Sequence, residues 1–276
     1  MVERLKVSMI TICYNAEKTI AKTIESVLSQ DYENLEYIIV DGGSKDHTVD
    51  IIKSYENKKI HWISEKDNGI SDAFNKGIKM ATGDLIGLIN ADDYLFPHAL
   101  ANLTLACHEC TDVLYGNTIV DDQENELKLI KYAGSAEGLE YSLPFIHQSS
   151  LVRKKAYDQY GGYSEKYKIC MDYDLFARFY RGGAKFQFVN TVVSCFTYGG
   201  TSCSHPFQTI KENVSIAEKY GLSHFRAIMY KIKMYIQNCI KIVLVRLRIW
   251  KAFYCLLKRD SIYTVSYTHQ TLPTIA

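Results

Sequence analysis

The chain has 276 residues, of which 47% are apolar and 23% are charged, and its formal net charge is +1. This composition is typical of a globular protein with a substantial core, and the balanced charge gives no reason to expect nucleic-acid binding. No apolar run approaches the roughly 18 residues of a membrane-spanning helix. The eight cysteines include one C-x-x-C pair, Cys107 and Cys110, which favours reduced thiols in the cytoplasm over a zinc site.

Four strand-helix units occupy the first part of the chain. Each begins with a short apolar run and continues into a segment of helical periodicity; the runs are VSMITI, LEYIIV, IHWI and LIGLI. This alternation predicts an α/β fold with a mostly parallel sheet that is buried on both faces. In such sheets ligands bind beyond the carboxyl ends of the strands, where CYNAE, DGGSKD, SEKDNG and NADD follow the four runs.

The strand-helix alternation weakens after residue 112. The elements predicted next are a strand at 111–120, a loop or hairpin at 121–138, a strand at 145–152 (FIHQSSLV), a short helix at 171–183 and one or two strands at 186–198. From about residue 206 the chain is predicted to be mostly helical.

The C-terminal part has an unusual composition. Between Phe225 and Arg259 there are nine lysines and arginines and no acidic residue, interleaved with aromatic and aliphatic side chains. Such a helix is typical of the interface of an anionic membrane, so residues 225–259 are predicted to contact the inner-membrane surface. The alternative is a helix that packs on its own domain or on a partner subunit.

These patterns divide the chain into three parts. We expect a catalytic domain over residues 1–205 and a basic amphipathic helical extension over residues 206–264. Residues 265–276 match nothing before them in composition and resemble translated adapter sequence, so we expect a non-native tail there.

Two adjacent carboxylates, Asp92 and Asp93, follow the fourth apolar run. Like charges side by side at a strand end are destabilising unless a cation lies near them. A hard divalent cation, Mg²⁺ or Mn²⁺, is commonly held by one or two carboxylates while phosphate oxygens complete its shell. The alternative is a helix N-terminus with acidic residues in its first turn, because DDYLFP precedes a predicted helix.

Five motifs in register resemble the family 2 glycosyltransferases, which are inverting enzymes of the GT-A fold. They are ITICYNAEKTI, IIVDGGSKDHTV, SEKDNGISDAFNKG, GDLIGLINADD and MDYDLFARF, and the resemblance covers about residues 5–205. The closest likeness is to the colanic-acid-type branch found in bacterial exopolysaccharide, capsule and O-antigen clusters. The resemblance implies a Rossmann-like, mostly parallel central sheet flanked by helices, followed here by the C-terminal helical extension.

The resemblance also implies which residues bind the donor. The nucleotide-binding set would be Thr11, Tyr14, Glu17, Asp41, Asp67, Gly69, Asn90 and Asp92. A phenol ring can stack on a base and a carboxylate can accept from the uracil imide, although turn chemistry is the alternative for Tyr14 and Asp41. Many relatives carry an aspartate where this chain has Gly42, and often another where it has Asn90. Asp92 and Asp93 would hold the metal, and the direct ligand is either of them.

An inverting transferase needs a general base for the acceptor hydroxyl, and the family motif places it at Asp172. A carboxylate favoured by a helix N-terminus is the alternative for Asp172 and equally for Asp174. His147 and His205 are expected on the acceptor or diphosphate side. For His147, a hydrogen-bonded structural histidine is the alternative.

The leading hypothesis is a metal-dependent glycosyltransferase, with Mn²⁺ or Mg²⁺ as cofactor. It would move a hexosyl or N-acetylhexosaminyl group from a nucleoside-diphosphate sugar, with UDP favoured, to a hydroxyl of a lipid-linked glycan in bacterial surface polysaccharide synthesis. We expect the protein in the cytoplasm, peripheral on the inner face of the plasma membrane.

Two other functions fit parts of the pattern. A sugar nucleotidyltransferase would usually show a glycine-rich loop with arginine and lysine after the first strand, and TICYNAEKT lacks one. A non-catalytic scaffold of the polysaccharide machinery would bind the nucleotide sugar without transferring it.

Overall fold

The structure, a computed structural model, describes residues 5–55, 60–124, 126–200 and 204–247. The predicted non-native tail at 265–276 lies outside the described residues. So does the part of the basic extension that follows residue 247.

The described residues form strands, α-helices and two short 3₁₀ helices. The strands are β1 (Val7–Cys13), β2 (Leu35–Asp41), β3 (Ile60–Ser64), β4 (Leu85–Asn90), β5 (Tyr94–Leu95), β6 (Val113–Asp122), β7 (Leu127–Lys131), β8 (Ser150–Arg153) and β9 (Phe186–Thr197). The α-helices are α1 (Ile20–Leu28), α2 (Thr48–Ser54), α3 (Ile70–Met80), α4 (Ala99–Leu105), α5 (Lys154–Tyr160), α6 (Met171–Arg181), α7 (Pro206–Lys219) and α8 (His224–Arg246). The 3₁₀ helices span Ala136–Glu140 and His147–Ser149.

The strands of the described part join in one sheet. Their order is β3-β2-β1-β4-β8-β6-β9-β5, and β7 pairs with β6. Strands β1 to β4 are parallel, β6 and β9 run in the same direction as them, and β5, β7 and β8 run the opposite way. Because the connections leave β1 toward β2 on one side and return to β4 on the other, the ligand-binding crevice of such a sheet lies beyond β1 and β4.

Helices cover both faces of the parallel half of the sheet, which explains its near-continuous apolar runs. Side chains alternate between the faces, so Ile10 packs in the same cluster as Phe74 of α3, whereas Met9 packs with Ile24 of α1. All seven residues of β2 are buried. The mostly parallel sheet therefore agrees with the prediction from the strand-helix alternation.

Some local predictions were wrong. FIHQSSLV is not one strand, because His147–Ser149 forms a 3₁₀ turn and the strand begins only at Ser150. Helix α5 and the short strand β5 were not predicted. The loop or hairpin predicted at 121–138 is a hairpin, in which β7 pairs with β6.

The two C-terminal helices pack on the same core as α6. Helix α7 buries Ile210 and Ile216, and α8 buries Ala227. Glu212 of α7 accepts hydrogen bonds from the backbone N–H groups of Ile169 and Cys170, both at 3.0 Å, and so caps the start of α6. Among the described residues, no helix combines the length and apolarity needed to cross a membrane.

Candidate active site

The carboxyl ends of the parallel strands lie side by side. Cys13 is in register with Asp41, Ile12 with Asn90, and Asp41 with Ser64. The loops that follow β1, β2, β3 and β4 therefore meet at one edge of the sheet, as the sequence predicted for the polar clusters.

Hydrogen bonds tie the first loop to the second. Asn15 adopts a left-handed backbone conformation with φ of 50°, and its side-chain oxygen accepts from the Lys45 N–H at 2.9 Å. The Glu17 carboxylate accepts from the His47 N–H at 3.1 Å, just before α2. Glu17 thus holds the loop in shape, and its contact with a nucleotide stays a prediction.

Thr11, predicted to bind the nucleotide, points into the core. Its side chain is fully buried and its Oγ1 lies 2.8 Å from the Tyr37 hydroxyl. Since successive strand residues face opposite sides of the sheet, Thr11 has no route to a ligand at the strand ends. The prediction for the Thr11 side chain is corrected on this ground.

Asp41 is also fully buried and serves the turn that follows it. Its carboxylate accepts from the N–H groups of Gly43 and Ser44 at 3.1 and 3.0 Å, and from the Ser64 hydroxyl at 2.6 Å. The Ser44 hydroxyl is a fourth donor, and four hydrogen bonds use the acceptor sites of the carboxylate. The turn chemistry considered as the alternative therefore accounts for Asp41. A direct contact with the uracil is not supported by this geometry.

A more accessible pair, Tyr14 and Asp67, flanks Gly42. Tyr14 is 59% exposed, and its ring edge would lie 3.5 Å from a Cβ placed on Gly42. The same Cβ would overlap the Asp67 carboxylate, so the missing side chain at Gly42 makes room for Asp67. Asp67 also accepts from the Gly69 N–H at 2.9 Å, and Gly69 has φ of 113° at the start of α3. Gly69 therefore shapes this loop, and Asp67 presents its other oxygen beside Gly42.

The adjacent aspartates differ in their surroundings. Asp93 is 1% exposed, and its carboxylate accepts from Gln148 Nε2 at 2.7 Å, the Thr197 N–H at 2.8 Å and Asn90 Nδ2 at 3.3 Å. Asp92 is more accessible than Asp93 and lines a cavity, where the surrounding protein partly desolvates its carboxyl. Burial raises the pKa of both carboxyls, and for Asp93 the charge of Asp92 adds to it. Of the two predicted metal ligands, only Asp92 offers its carboxylate to the cavity.

That cavity has a volume of about 500 Å³, and it is lined by residues of both the predicted metal site and the predicted general base. Asn90 and Asp92 reach it from the strand-end loop, and Asp172 reaches it from the first turn of α6. His147 and Lys131 also line it. Volumes of roughly 300–1,000 Å³ are usual for sites that bind small molecules.

Asp172 pairs with His147 across the cavity wall. His147 Nδ1 lies 3.4 Å from Asp172 Oδ2, and the Tyr173 N–H donates to Asp172 Oδ1 at 2.8 Å. Among the described residues, no group hydrogen bonds to the buried His147 Nε2 or Gln148 Oε1. Buried polar atoms normally have partners, so these two fit a cavity that receives a polar ligand.

Asp174, the other acidic residue of the first turn of α6, is structural. Its side chain is 1% exposed and pairs with Lys219 Nζ at 2.8 Å and with the Tyr220 hydroxyl at 3.1 Å. Arg178 lies 3.6 Å from its second oxygen. The structure thus separates two carboxylates that the sequence left equivalent: Asp174 ties α6 to α7, and Asp172 faces the cavity.

The polar cavity residues that the sequence analysis did not single out include Lys131, Gln148 and Lys168. Lys131 ends β7 and lines the cavity. Desolvation by the surrounding protein lowers the pKa of its amine, and the negative charge of Asp172 opposes this shift without cancelling it. Gln148 anchors Asp93, and Lys168 lines the cavity beside α6. Lys131 and Lys168 lie in loops or at strand ends, where periodicity carries no signal for function.

His205 does not belong to this cavity within the described part of the chain. It is exposed and directly precedes α7, where its carbonyl accepts from the Thr209 N–H at 3.0 Å. Thr209 itself lines the cavity. A role for His205 on the diphosphate side stays a prediction.

The residues present fit a divalent cation that shares its shell with a ligand. In the described ranges no group of three or more His, Cys, Asp or Glu side chains could enclose a metal ion. Asp92 supplies one free carboxylate and Asn90 an amide oxygen. Mg²⁺ in particular is usually bound by one or two carboxylates plus substrate phosphates, which matches this donor set.

Solved structures share this architecture. The chain aligns over 84% of its length with 72% of residues 1–349 of Staphylococcus aureus TarS in complex with UDP-GlcNAc, with a TM-score of 0.62 and 18% identity. It aligns over 94% of its length with 82% of the Pyrobaculum calidifontis mannosyltransferase PcManGT in complex with GDP-Man and Mn²⁺, with a TM-score of 0.63 and 16% identity. These likenesses confirm the predicted α/β fold of the GT-A type.

Sequence comparison gives the family. The sequence model of the family described as "Glycosyl transferase family 2" matches residues 8–176, which is more than half of the chain. The protein therefore belongs to this family. It is 31% identical over 187 residues to an uncharacterized glycosyltransferase of Rickettsia prowazekii, RP339, covering 63% of this chain and 58% of that relative's length. It is 27% identical over 207 residues to a PGL/p-HBAD biosynthesis glycosyltransferase of Mycobacterium bovis, covering 71% and 78%.

Proposed function

We propose that this protein is an inverting glycosyltransferase that uses a nucleoside-diphosphate sugar and a divalent cation. The observation that carries the proposal is the single cavity into which Asp92, from the strand-end loop, and Asp172, paired with His147, both open. Inversion needs a base on the side of the sugar opposite the leaving nucleotide, and a site with two separated carboxylates provides it.

Asp172 is the proposed general base. It would accept the proton of the acceptor hydroxyl while that oxygen forms a bond to the anomeric carbon. The bond between the anomeric carbon and the diphosphate oxygen breaks at the same time, and the nucleoside diphosphate leaves with the electron pair. His147 holds one carboxylate oxygen of Asp172, and the Tyr173 N–H holds the other.

The negative charge that develops on the leaving diphosphate needs compensation. A Mn²⁺ or Mg²⁺ ion held by Asp92, with Asn90 beside it, would supply a Lewis acid there. Lys131 and Lys168 add positive charge to the cavity wall from this chain's own side chains.

The donor proposed is a UDP-sugar, hexosyl or N-acetylhexosaminyl. Tyr14 offers a ring for stacking, and Asp67 offers a carboxylate oxygen that would accept from the uracil imide N–H. TarS has been solved with UDP and with UDP-GlcNAc, which supports this choice of nucleotide, although PcManGT was solved with GDP-Man.

The acceptor proposed is a hydroxyl of a lipid-linked glycan in bacterial surface polysaccharide synthesis, of the colanic-acid type. The location proposed is the cytoplasmic face of the inner membrane. Helix α8 supports both, because it carries five lysines and arginines and no acidic residue, and it exposes an apolar stripe that includes Ile232, Ile236 and Ile240.

Calorimetric titration tests the donor site. UDP, GDP and dTDP are titrated with and without Mn²⁺ into the wild type, Asp92→Asn and the matched Asp93→Asn. We expect UDP to bind only with Mn²⁺, and Asp92→Asn to weaken that binding about a hundredfold through loss of a charged ligand. If none of the three nucleotides binds, with or without Mn²⁺, the result contradicts the proposal.

A second variant, Asp172→Asn, distinguishes a catalytic transferase from a non-catalytic scaffold that only binds the nucleotide sugar. It should bind UDP with unchanged affinity and lose transfer, measured as release of UDP from a UDP-sugar, by a factor of about 10²–10⁴. Asp174→Asn is the control in the same turn, and should affect thermal stability more than the rate per folded molecule. Full transfer by Asp172→Asn would remove this residue from catalysis.

A further inference from the structure

A second concave surface lies beside the catalytic cavity, between the 3₁₀ helix Ala136–Glu140 and α8. We call it the α8 groove. Tyr141 and Ser142 line it from one side, and Phe225, Met229 and Tyr230 line it from the side of α8. Its volume is about 710 Å³, within the range of roughly 300–1,000 Å³ that is usual for sites of small molecules.

The floor of the α8 groove is built from packed aromatic rings. The Tyr141 and Tyr230 rings lie 5.6 Å apart, and both residues pack against the main hydrophobic core. At the rim, Phe225 is 73% exposed and Met229 is 52% exposed. The groove therefore combines a rigid aromatic base with apolar side chains that have not been covered by the described fold.

Two cations stand at the rim of this apolar surface. The Arg226 guanidinium lies 5.2 Å from the centre of the Tyr141 ring and hydrogen bonds to its hydroxyl, and Lys233 lines the groove about two turns further along α8. In the part of the chain that the structure describes, neither cation has a carboxylate within 4.0 Å. Glu137 and Glu140 belong to the facing 3₁₀ helix, but neither lines the groove.

The α8 groove adjoins the catalytic cavity. Ser142 lines both, and Tyr173, next to the proposed base Asp172, donates its hydroxyl to the Leu139 carbonyl in the groove-forming segment at 3.0 Å. A ligand in the groove would thus lie next to the acceptor side of the proposed reaction.

We propose that the α8 groove binds the apolar chain of the acceptor together with the phosphate that this chain carries. This inference rests on the proposed function for the identity of the acceptor. The apolar walls take the chain, Arg226 and Lys233 take the phosphate, and the glycan extends past Ser142 toward Asp172. An apolar chain without a phosphate would make no ion pair with Arg226 or Lys233. A free phosphate would leave the apolar side chains Phe225 and Met229 without a contact.

The probe for this site is farnesyl phosphate, titrated calorimetrically below its micelle concentration. Farnesol and inorganic phosphate are the two parallel probes, since each carries half of the chemistry. We expect farnesyl phosphate to bind at least tenfold more tightly than either. Equal binding of inorganic phosphate would show a free-anion site and overturn the proposal, and so would equal binding of farnesol or no binding of farnesyl phosphate.

Met229→Asp tests the groove, with Ile240→Asp as the matched control. Both side chains are about half exposed on α8, at 52% and 49%, so both variants should fold, but only Met229 lines the groove. Met229→Asp should weaken farnesyl phosphate binding about tenfold, through lost apolar contact and repulsion of phosphate, and Ile240→Asp should change it less than twofold. Equal losses would assign the binding to the helix surface as a whole and overturn the groove.

Donor binding, which tests the proposed function, is measured separately in the same samples. Titration with UDP and Mn²⁺ reports the donor site, which neither variant touches. Intact UDP binding without farnesyl phosphate binding rejects only the α8 groove. Farnesyl phosphate binding that is lost in Met229→Asp, while UDP, GDP and dTDP all fail to bind with Mn²⁺, rejects the transferase and keeps the lipid site.

Discussion

At the scale of single residues, the neighbours Asp92 and Asp93 have opposite tasks. Asp93 is held by Gln148, Thr197 and Asn90, so its carboxylate fixes the strand-end loop against the rest of the sheet. Asp92 is left facing the cavity with a pKa that burial raises. A cation beside Asp92 would offset the cost of keeping both carboxylates ionised, which is a physical reason for a metal at this position.

Gly42 gives a prediction at the same scale, because its missing side chain makes room for Asp67. Gly42→Asp places a second carboxylate against Asp67, and the two repel. Since a hydrogen bond to a charged group contributes about 1.5–3 kcal/mol, we expect UDP affinity to fall at least tenfold. The measurement is calorimetric titration with UDP and Mn²⁺.

The double variant Gly42→Asp/Asp67→Gly is the control for this prediction. It moves the carboxylate from one loop to the other and should recover most of the UDP affinity. Thermal stability should change little in Gly42→Asp, because Asp67 is partly exposed and can rotate. A double variant as weak as Gly42→Asp would show that the carboxylate position, and not its presence, matters.

At the scale of secondary-structure elements, Glu36 joins three parts of the sheet. It is 8% exposed, and Lys6, Ser8 and Thr82 all donate to its carboxylate. Burial raises its pKa, but the hydrogen bonds from Ser8, Thr82 and Lys6 outweigh burial and lower it from 4.5 to about 2. Glu36 therefore connects β1 and β2 to the turn before β4.

The lowered pKa of Glu36 sets a pH dependence of stability. A carboxyl whose pKa is lower in the folded state stabilises the fold above its unfolded pKa, and this contribution is lost as pH falls through the folded pKa. Between about pH 5 and pH 2 the wild type should lose about 3 kcal/mol from Glu36, and Glu36→Gln should lack this part of the acid dependence.

Denaturant unfolding at several pH values measures the effect of Glu36. At neutral pH Glu36→Gln should be less stable than wild type by about 2–3 kcal/mol, and the two curves should converge near pH 2. Glu33→Gln, at an exposed glutamate, is the control and should follow wild type throughout. Parallel curves for wild type and Glu36→Gln would contradict the role of the buried carboxylate.

Gly77 lets helix α3 approach strand β1 closely. A Cβ at Gly77 would overlap Cγ2 of the buried Ile10 and lie 3.4 Å from Cγ2 of Val40. Alanine favours a helix over glycine by about 1 kcal/mol, but forcing a methyl group into a packed core costs about 1–3 kcal/mol. Since Ile10 is branched at Cβ and fully buried, we expect overpacking to dominate.

Gly77→Ala should thus destabilise the protein by about 1–2 kcal/mol, measured by denaturant unfolding. Lys79→Ala is the control on the exposed side of the same helix and should stay within about 0.5 kcal/mol of wild type. Increased stability of Gly77→Ala would mean that α3 can move away from β1.

At the scale of the whole molecule, α8 has two apolar faces. One face, with Ala227, Tyr230 and Met234, packs on the core. The opposite stripe is exposed and includes Phe225, Met229, Ile232, Ile236, Ile240 and Val243, and the exposed Leu247 follows directly after the helix. The sequence left open whether this helix packs on its domain or meets a membrane, and the structure shows packing by one face that leaves the other available.

The exposed stripe predicts binding to anionic membranes. Ile236→Glu/Ile240→Glu should reduce cosedimentation with phosphatidylglycerol-rich vesicles at least tenfold, through lost apolar burial and added negative charge. Higher salt should weaken the binding of wild type, because the basic residues act through screened charges. Leu105→Glu, at a residue that is 90% exposed on α4, is the control and should bind as wild type does. A wild type that does not bind would exclude the membrane surface as a partner of α8.

The parallel half of the sheet was largely predictable from local patterns. Strands β1, β2 and β4 were located within a residue or so, because residues buried on both faces are continuously apolar. The 3₁₀ turn at His147 could not be predicted, since FIHQSSLV has the apolar and β-branched residues of a strand. That turn brings His147 and Gln148 to the same site, where a strand would have placed them on opposite faces.

The sequence by itself determined the family, the strand-helix order and the position of polar clusters at strand ends, because these follow from periodicity and local motifs. Only the tertiary structure decided which of two similar carboxylates reaches the cavity. Asp92 and Asp172 face it, whereas Asp93 and Asp174 are buried by partners far away along the chain. The physical reason is that burial and hydrogen-bond partners are set by long-range packing, which a single sequence does not encode locally.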